Sequence, residues 1–135
     1  MALLEWKEEY SVNVVQIDEQ HRKLFRIINE LEEAMSQGKG SQTLDRIFES
    51  LIDYTRYHFK FEIDILRSNG YPEAEEHERK HEAMTGQVER LKEEFEQGNA
   101  GITIKTRSFL SDWLTKHIQG TDKKYSQHLN DRGVS

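Results

Sequence analysis

The sequence predicts an all-α protein, an up-down-up-down four-helix bundle preceded by an N-terminal arm. Apolar residues recur at three- and four-residue spacing through most of the chain, as on the buried faces of amphipathic helices. Proline occurs once, at Pro72, and runs of β-branched residues are scarce. Four helices joined by short turns imply antiparallel neighbours. The 135 residues suit one domain, 1–135, with a core of its own.

Turn residues divide the chain into its elements. Residues 1–17 lack helical spacing and are expected to form an arm packed across the bundle. Gly38 ends the first helix, and Ser41 is the expected N-cap of the second. Pro72 suits the first turn of the third helix, and Gly120 interrupts the fourth. The predicted helices cover 18–37, 42–69, 72–97 and 103–119, followed by a short C-terminal turn at 122–130.

Composition excludes several classes of function. A formal charge of −6 disfavours nucleic acid or an anionic membrane as the partner. There is no cysteine, which excludes disulfides and thiolate metal sites. The N-terminus carries acidic residues where a secretory signal needs a basic end, and no stretch is apolar enough to cross a bilayer. We therefore expect a cytoplasmic domain without membrane contact.

Five of the six histidines form a spaced series with two carboxylates. The members fall on all four predicted helices: His21, His58 with Glu62, His77 with His81, and His117 with Asp122. Antiparallel topology places the start of the first and third helices beside the end of the second and fourth. At ~1.5 Å rise per residue the series then occupies one slab of the bundle. A single histidine on a helix is usually solvated or hydrogen-bonded within the protein, but the convergence of five histidines and two carboxylates predicts a metal site.

The pair His117 and Asp122 is the irregular member of the series. Residues four apart share a helix face, whereas residues five apart are offset by ~140° on an ideal helix. Both side chains reach one site only if the helix loosens or ends between them. We therefore predict a distortion or break near Gly120.

The donor set favours two metal ions. Imidazole and carboxylate without thiolate suit iron, manganese or zinc. If both ions are six-coordinate and both carboxylates bridge, the donors and one bridging oxygen fill all positions but one, where a small molecule binds. Oxygen-activating di-iron bundles use two Glu-x-x-His pairs, whereas only Glu78-x-x-His81 is present here. Neutral, nitrogen-rich coordination favours reversible binding over substrate oxidation.

These motifs resemble the bacterial hemerythrin family over nearly the whole chain. They are Ile17-Asp-Glu-Gln-His21, Tyr57-His-Phe-Lys-Phe-Glu62, Tyr71-Pro…His77-x-x-x-His81 and Trp113-Leu-x-x-His117-Ile-x-x-x-Asp122. The resemblance implies two iron ions with a bridging oxo or hydroxo group and dioxygen bound at one iron. It assigns His77, His81 and His117 to the full iron, His21 and His58 to the open one, and Glu62 and Asp122 as bridges. Ile63 and Leu66 depart from the family's second Glu and Met.

An apolar pocket is expected around the open position, because water and protons promote loss of bound dioxygen as peroxide. Ile118, beside His117, is the first candidate, with Phe25, Phe59 and Trp113 behind it, although ordinary core packing explains all four equally well. Acceptors for the imidazole N–H groups must exist. Asp18 and Glu78 are weak candidates, better explained as an N-cap and a solvated charge. His128 lies outside the series and is expected at the surface or in a cap.

Three functions fit these expectations. The first is reversible dioxygen binding for carriage, storage or delivery, by a protein that is not an enzyme. The second is dioxygen or redox sensing by a domain of a larger chemotaxis or signalling receptor, whose partners are its other domains. The third is a di-iron enzyme acting on peroxide or nitric oxide, with weak peroxidase-type activity. A metal-free helical scaffold is the remaining alternative, and the iron content of the purified protein tests it.

Overall fold

Four long helices pack in a ring, each against the next in the chain and the fourth against the first. The computed structural model describes residues 4–99 and 101–135, so the first three residues of the predicted arm lie outside the described part. No strand occurs within these ranges, which confirms the four-helix bundle. The helices are α1 (Val15–Ser36), α2 (Gly40–Ser68), α3 (Ala74–Glu96), α4 (Ile102–His117) and α5 (Lys123–Asp131). A π-helical turn, Ile118–Asp122, joins α4 to α5 without a break.

Helix α1 begins three residues before the predicted start at residue 18. Val14 is its N-cap residue, and its apolar side chain makes no capping hydrogen bond. Asp18 accepts hydrogen bonds from the Val12 N–H at 2.9 Å and from the Ser11 hydroxyl at 2.6 Å. These bonds fasten the end of the arm to the first turn of α1.

The starts of α2 and α3 also differ from the prediction. Helix α2 begins at Gly40, so Ser41 lies inside the helix and is not its N-cap. A Cβ at Gly40 would lie 2.7 Å from Met35 Cγ, so this turn requires a glycine. Helix α3 begins at Ala74 instead of residue 72. Pro72 belongs to the preceding turn, which the Ala74 N–H closes by donating to the Tyr71 carbonyl at 3.2 Å.

The buried apolar residues form two clusters separated along the bundle axis. The larger cluster fills the interior between the four helices and includes Leu24, Leu51, Met84 and Leu114. The smaller cluster closes one end of the bundle and includes Ile17, Leu66, Ala74 and Tyr125. Along α1, α2 and α3, members of the histidine and carboxylate series lie between residues of the two clusters, and Asp122 lies between Ile118 and Tyr125. The fold therefore encloses one polar layer between two apolar ones.

The arm packs along α1. Trp6 and Tyr10 place their rings 5.5 and 5.2 Å from the Phe25 ring. The Asn29 side chain exchanges two hydrogen bonds with the Leu4 backbone, at 2.8 and 2.9 Å. These contacts cover the apolar face of α1 just beyond His21. Among the described residues, no helix is both long enough and apolar enough to span a membrane.

Candidate metal centre

All seven members of the predicted series lie in the polar layer and are buried. Their side chains come from four helices and the π-helical turn: His21, His58, Glu62, His77, His81, His117 and Asp122. Ionised and imidazole groups are rarely buried without partners, because desolvation is costly. A layer of this composition inside a 135-residue chain therefore needs compensation from within the site.

The side chains form two groups that could each hold a metal ion. The three-histidine group contains His77, His81 and His117 with Glu62 and Asp122, and the two-histidine group contains His21 and His58 with Glu62. Within each group the candidate ligand atoms lie within 4.8 Å of one another. Glu62 belongs to both groups, so the two positions adjoin.

Both carboxylates divide their oxygens between the two groups. Glu62 Oε1 faces the three-histidine group, 2.5 Å from His77 Nε2 and 3.0 Å from His81 Nε2. Glu62 Oε2 faces the other group, 3.5 Å from His58 Nε2 and 3.8 Å from His21 Nε2. This is the orientation of a carboxylate that bridges two metal ions.

Asp122 repeats the division from the opposite side of the layer. Its Oδ1 lies 3.1 Å from His77 Nε2 and 3.0 Å from His117 Nε2. Its Oδ2 lies 3.1 Å from His21 Nε2. The two groups are thus joined by two carboxylates, each of which presents one oxygen to each side.

The π-helical turn explains how His117 and Asp122 reach the same site. A π-helix joins residue i to residue i+5, so residues five apart come onto one face. The turn runs from Ile118 to Asp122, directly after His117. The predicted distortion near Gly120 is therefore confirmed. Gly120 itself has no positive φ, and a Cβ there would meet nothing within 4 Å.

The hydrogen bonding of the site fits a metal better than a purely protein network. The Nε2 atoms of His21, His81 and His117 are buried without a hydrogen-bond partner, as are both Asp122 oxygens. These atoms face one another at contact distance, so their lone pairs converge on common points. A buried, unsatisfied polar atom costs about 1–3 kcal/mol. Metal coordination would satisfy every one of them.

Ionised carboxylates and protonated imidazoles balance each other's charge within the layer. Burial alone would raise the pKa of the Glu62 and Asp122 carboxyls, but the surrounding imidazoles hold both well below their usual range. Burial lowers the pKa of His58 to about 3. For His21 and His77 the lowering by burial is outweighed by the two carboxylates, which raise each pKa to about 9. Two ionised carboxylates thus attract cations, and a metal must displace protons from His21 and His77.

Two supporting contacts were not predicted from the sequence. The buried Gln20 side chain lies with its Oε1 2.6 Å from His58 Nδ1, where it accepts the imidazole N–H. This bond leaves His58 Nε2 as the lone-pair nitrogen facing the site. The Tyr125 hydroxyl donates to Glu62 Oε2 at 2.8 Å. Burial and the Glu62 charge raise the Tyr125 pKa well above its usual value, so the phenol stays protonated and keeps donating.

Asp18 and Glu78, the two candidates that the sequence offered as acceptors for imidazole N–H groups, make other contacts. Asp18 holds the arm, as described above, and Glu78 forms a salt bridge with Arg67 at 2.7 Å near the surface. His128 lies 2.7 Å from the Asn69 carbonyl, to which its Nε2–H donates at the C-terminal end of α2. The sequence suggested the surface or a cap near the C-terminus of the chain, whereas His128 binds the C-cap residue of α2.

The candidates for an apolar pocket separate into two pairs. Ile118 is fully buried and packs in the larger core cluster with Phe25, one helical turn beyond His21. Phe59 instead stacks on His81, with ring centroids 3.7 Å apart and planes 6° apart. Trp113 stacks on His117 at 4.3 Å and 14°. Phe59 and Trp113 therefore flank the three-histidine group.

Ile63 and Leu66, the two departures from the family pattern, are buried in the smaller core cluster. Neither side chain carries an atom that could bind a metal. Both extend the apolar packing of the smaller cluster, and the set of candidate ligands is unaffected.

Comparisons with known proteins agree with this geometry. The family model described as hemerythrin HHE cation binding domain matches residues 12–129. The chain is 33% identical to bacteriohemerythrin of Stenotrophomonas maltophilia, over 96% of this chain and 86% of that one. It is also 33% identical to bacteriohemerythrin of Methylococcus capsulatus, over 96% and 99%. A crystal structure of wild-type hemerythrin superimposes with a TM-score of 0.85 and 32% identity, over 95% and 98%. Fold, donor set and sequence agree, and the chain belongs to the hemerythrin HHE cation-binding family.

Proposed function

We propose that this protein binds dioxygen reversibly at a non-haem di-iron centre. The observation that carries the proposal is the division of both carboxylates between two histidine groups. Such an arrangement holds two metal ions side by side. Membership of the hemerythrin family supports iron as the metal and dioxygen as the ligand.

Each ligand has a role in this proposal. The three-histidine group would hold one iron and the two-histidine group the other, with Glu62 and Asp122 shared between them. When bound, the iron pair would supply the electrons and the open coordination position that dioxygen requires. The two-histidine group would leave that position open, because it contributes one imidazole fewer.

The surrounding residues favour binding over turnover. His21 and His58 are each 1% exposed, so water reaches their side of the centre poorly. Ile118 and Phe25 place apolar packing beside them. Tyr125 keeps Glu62 oriented, and its raised pKa opposes loss of the phenolic proton into the site. An enclosed site of this kind slows the proton-assisted loss of bound dioxygen.

An optical titration of the reduced, iron-loaded protein tests the proposal. We expect about two irons per chain, a colourless ferrous form that turns coloured with dioxygen, and a return to colourless when the gas is removed. The metal content is measured by mass spectrometry of the same sample. Stoichiometric oxidation without reversal would favour sensing or catalysis, and protein purified without iron that also fails to take it up would refute the proposal.

A further inference from the structure

A cluster of lysines lies outside the three-histidine group, on a chain whose net charge is −6. We call it the lysine patch, and it consists of Lys80 on α3, Lys116 on α4 and Lys124 on α5. From these residues we propose that the lysine patch docks an acidic electron-transfer protein that returns the oxidised iron centre to the ferrous state. This proposal rests on the proposed function, since it supposes a redox-active centre beneath the patch.

The patch borders a groove that reaches the metal ligands. A groove of about 300 Å³, open to solvent, is lined by Lys80, Ala83, Trp113, Lys116, His117 and Thr121. A cavity of about 30 Å³ adjoins it through Lys80 and Thr121 and is lined also by His77 and Lys124. The groove is shallow enough for a protein surface to rest on. Two of the three imidazoles of this group therefore border depressions that lysines surround.

The patch lysines lack acidic partners. Within the described ranges, none of the three forms a salt bridge, whereas Lys60 pairs with Asp64 and Lys105 with Glu94. Lys80 donates only to the Thr121 hydroxyl, at 3.3 Å. Glu73 and Glu76 line the small cavity but not the larger groove. Unpaired cations on an acidic protein orient an approaching acidic surface toward this face.

Trp113 provides a short route from the groove to the centre. The indole lines the groove and stacks on the His117 imidazole with centroids 4.3 Å apart. The rate of electron transfer falls steeply with separation, so an aromatic ring in contact with a metal ligand is a favourable position for it. The two-histidine group offers no comparable ring stack among the described residues, since Gln20 covers His58 with an amide.

The reaction is a pair of one-electron steps. Each reduced carrier molecule loses one electron, and two such transfers convert two ferric ions to two ferrous ions. Any proton that a bridging oxo group takes up comes from water. No bond of the protein is made or broken.

Reduction of the oxidised, iron-loaded protein by reduced flavodoxin, an acidic one-electron carrier, tests the inference in a stopped-flow instrument. The double variant Lys80→Glu/Lys116→Glu is compared with Lys39→Glu/Lys92→Glu, which changes the net charge equally at the opposite end of the bundle. We expect the second-order rate to fall at least about tenfold in the first variant only, because electrostatic steering contributes ~10–10³ to association rates. The difference should vanish at about 1 M salt, where the Debye length is ~3 Å.

Carbodiimide cross-linking provides a readout that does not depend on iron. We expect flavodoxin carboxylates to couple to Lys80, Lys116 or Lys124, as identified by mass spectrometry of the peptides. Cross-links spread over the surface, or equal rates in the two double variants, would overturn the inference. A third contrary result would be that the unchanged protein binds anionic vesicles, that the first double variant does not, and that the two are reduced at the same rate. That result would assign the patch to a lipid surface.

Trp113→Leu separates docking from electron transfer. The cross-links should persist while reduction slows, and Trp113→Phe, which keeps a ring, should recover part of the rate. An unchanged rate in Trp113→Leu would overturn the role of the indole. Dioxygen binding by the unchanged protein keeps this test apart from the proposed function, because its absence would contradict that function and leave the cross-link map intact.

Discussion

The two histidine groups share their bridging carboxylates but differ in what surrounds them. His21 and His58 are each 1% exposed, whereas His117 in the three-histidine group is 7% exposed. Two imidazoles of the three-histidine group, those of His81 and His117, stack on Phe59 and Trp113 and border open grooves. His58 is instead held from behind by the Gln20 amide. One side of the centre is thus enclosed and the other reaches toward the surface.

This difference separates two tasks that conflict in one place. A diatomic gas enters through small fluctuations of apolar packing, while water and protons must stay out. Electrons need a short path to a docking surface. An open coordination position on the enclosed side, with an electron route on the other as proposed above, would allow both. The following predictions test this division, beginning with the residue that both sides share.

Removing the charge of Glu62 should have the largest effect. In Glu62→Gln, one buried anion is lost and the amide N–H₂ cannot serve as a ligand, so the two groups lose a bridge. We expect the iron content to fall from about two to one or fewer per chain, as measured by mass spectrometry. Glu78→Gln removes a surface carboxylate on α3 and is the control, with iron content unchanged. Two irons in Glu62→Gln would contradict the bridging role.

Removing the Gln20 amide should weaken only the two-histidine side. Gln20→Leu keeps the volume but leaves the His58 Nδ1–H without its acceptor, which frees the ring orientation. Loss of such a supporting hydrogen bond typically lowers metal affinity ~10–100-fold. We expect faster release of one iron to a chelator, followed optically, and slow release of the second. Gln16→Leu, an exposed residue one turn earlier on α1, should behave as the unchanged protein does.

A polar side chain beside the two-histidine group should speed autoxidation of the dioxygen-bound form. In Ile118→Gln an amide enters fully buried packing and brings water with it. We expect autoxidation of the dioxygen-bound form to accelerate about tenfold, equal to ~1.4 kcal/mol, and peroxidase-type activity to rise. Ile104→Gln on α4 replaces an isoleucine that is 56% exposed and serves as the control. Equal autoxidation rates in the two variants would remove Ile118 from the pocket.

The sequence was sufficient to predict the features that depend on hydrophobic periodicity and on the spacing of the candidate ligands. Ligand types, helix order and antiparallel topology were enough to place seven residues in one layer, and a five-residue interval predicted the distortion after His117. The sequence did not reveal which neighbours support the ligands. Gln20 and Tyr125 look like ordinary helix residues until α1, α2 and α5 pack together. Their partners, His58 and Glu62, are distant in the chain.

Helix starts were predicted less well, because they depend on single backbone bonds. Asp18 resembles an N-cap residue but acts from inside α1 on the preceding arm. Pro72 suits a first helical turn but lies in a separate turn before α3. The seven candidate ligands still meet in one layer despite these shifts, because the apolar clusters on either side of the layer fix how the helices pack.

The smallest effect concerns Gly120, the residue that suggested the distortion. Its backbone is helical and a Cβ there would contact nothing, so the π-helical turn does not require glycine. The turn is instead stabilised by His117 and Asp122, which both face the site. We therefore expect Gly120→Ala to retain two irons and to change the free energy of unfolding by less than ~1 kcal/mol, the helix-propensity difference.

Gly40→Ala is the matched control for this substitution. A Cβ there would lie 2.7 Å from Met35 Cγ and 2.9 Å from Thr103 Cγ2, an overpacking that costs about 1–3 kcal/mol. Urea denaturation of both variants compares the two glycines directly. Loss of iron in Gly120→Ala would mean that glycine, and not the ligand pair, allows the π-helical turn, and that the five-residue interval depends on backbone freedom.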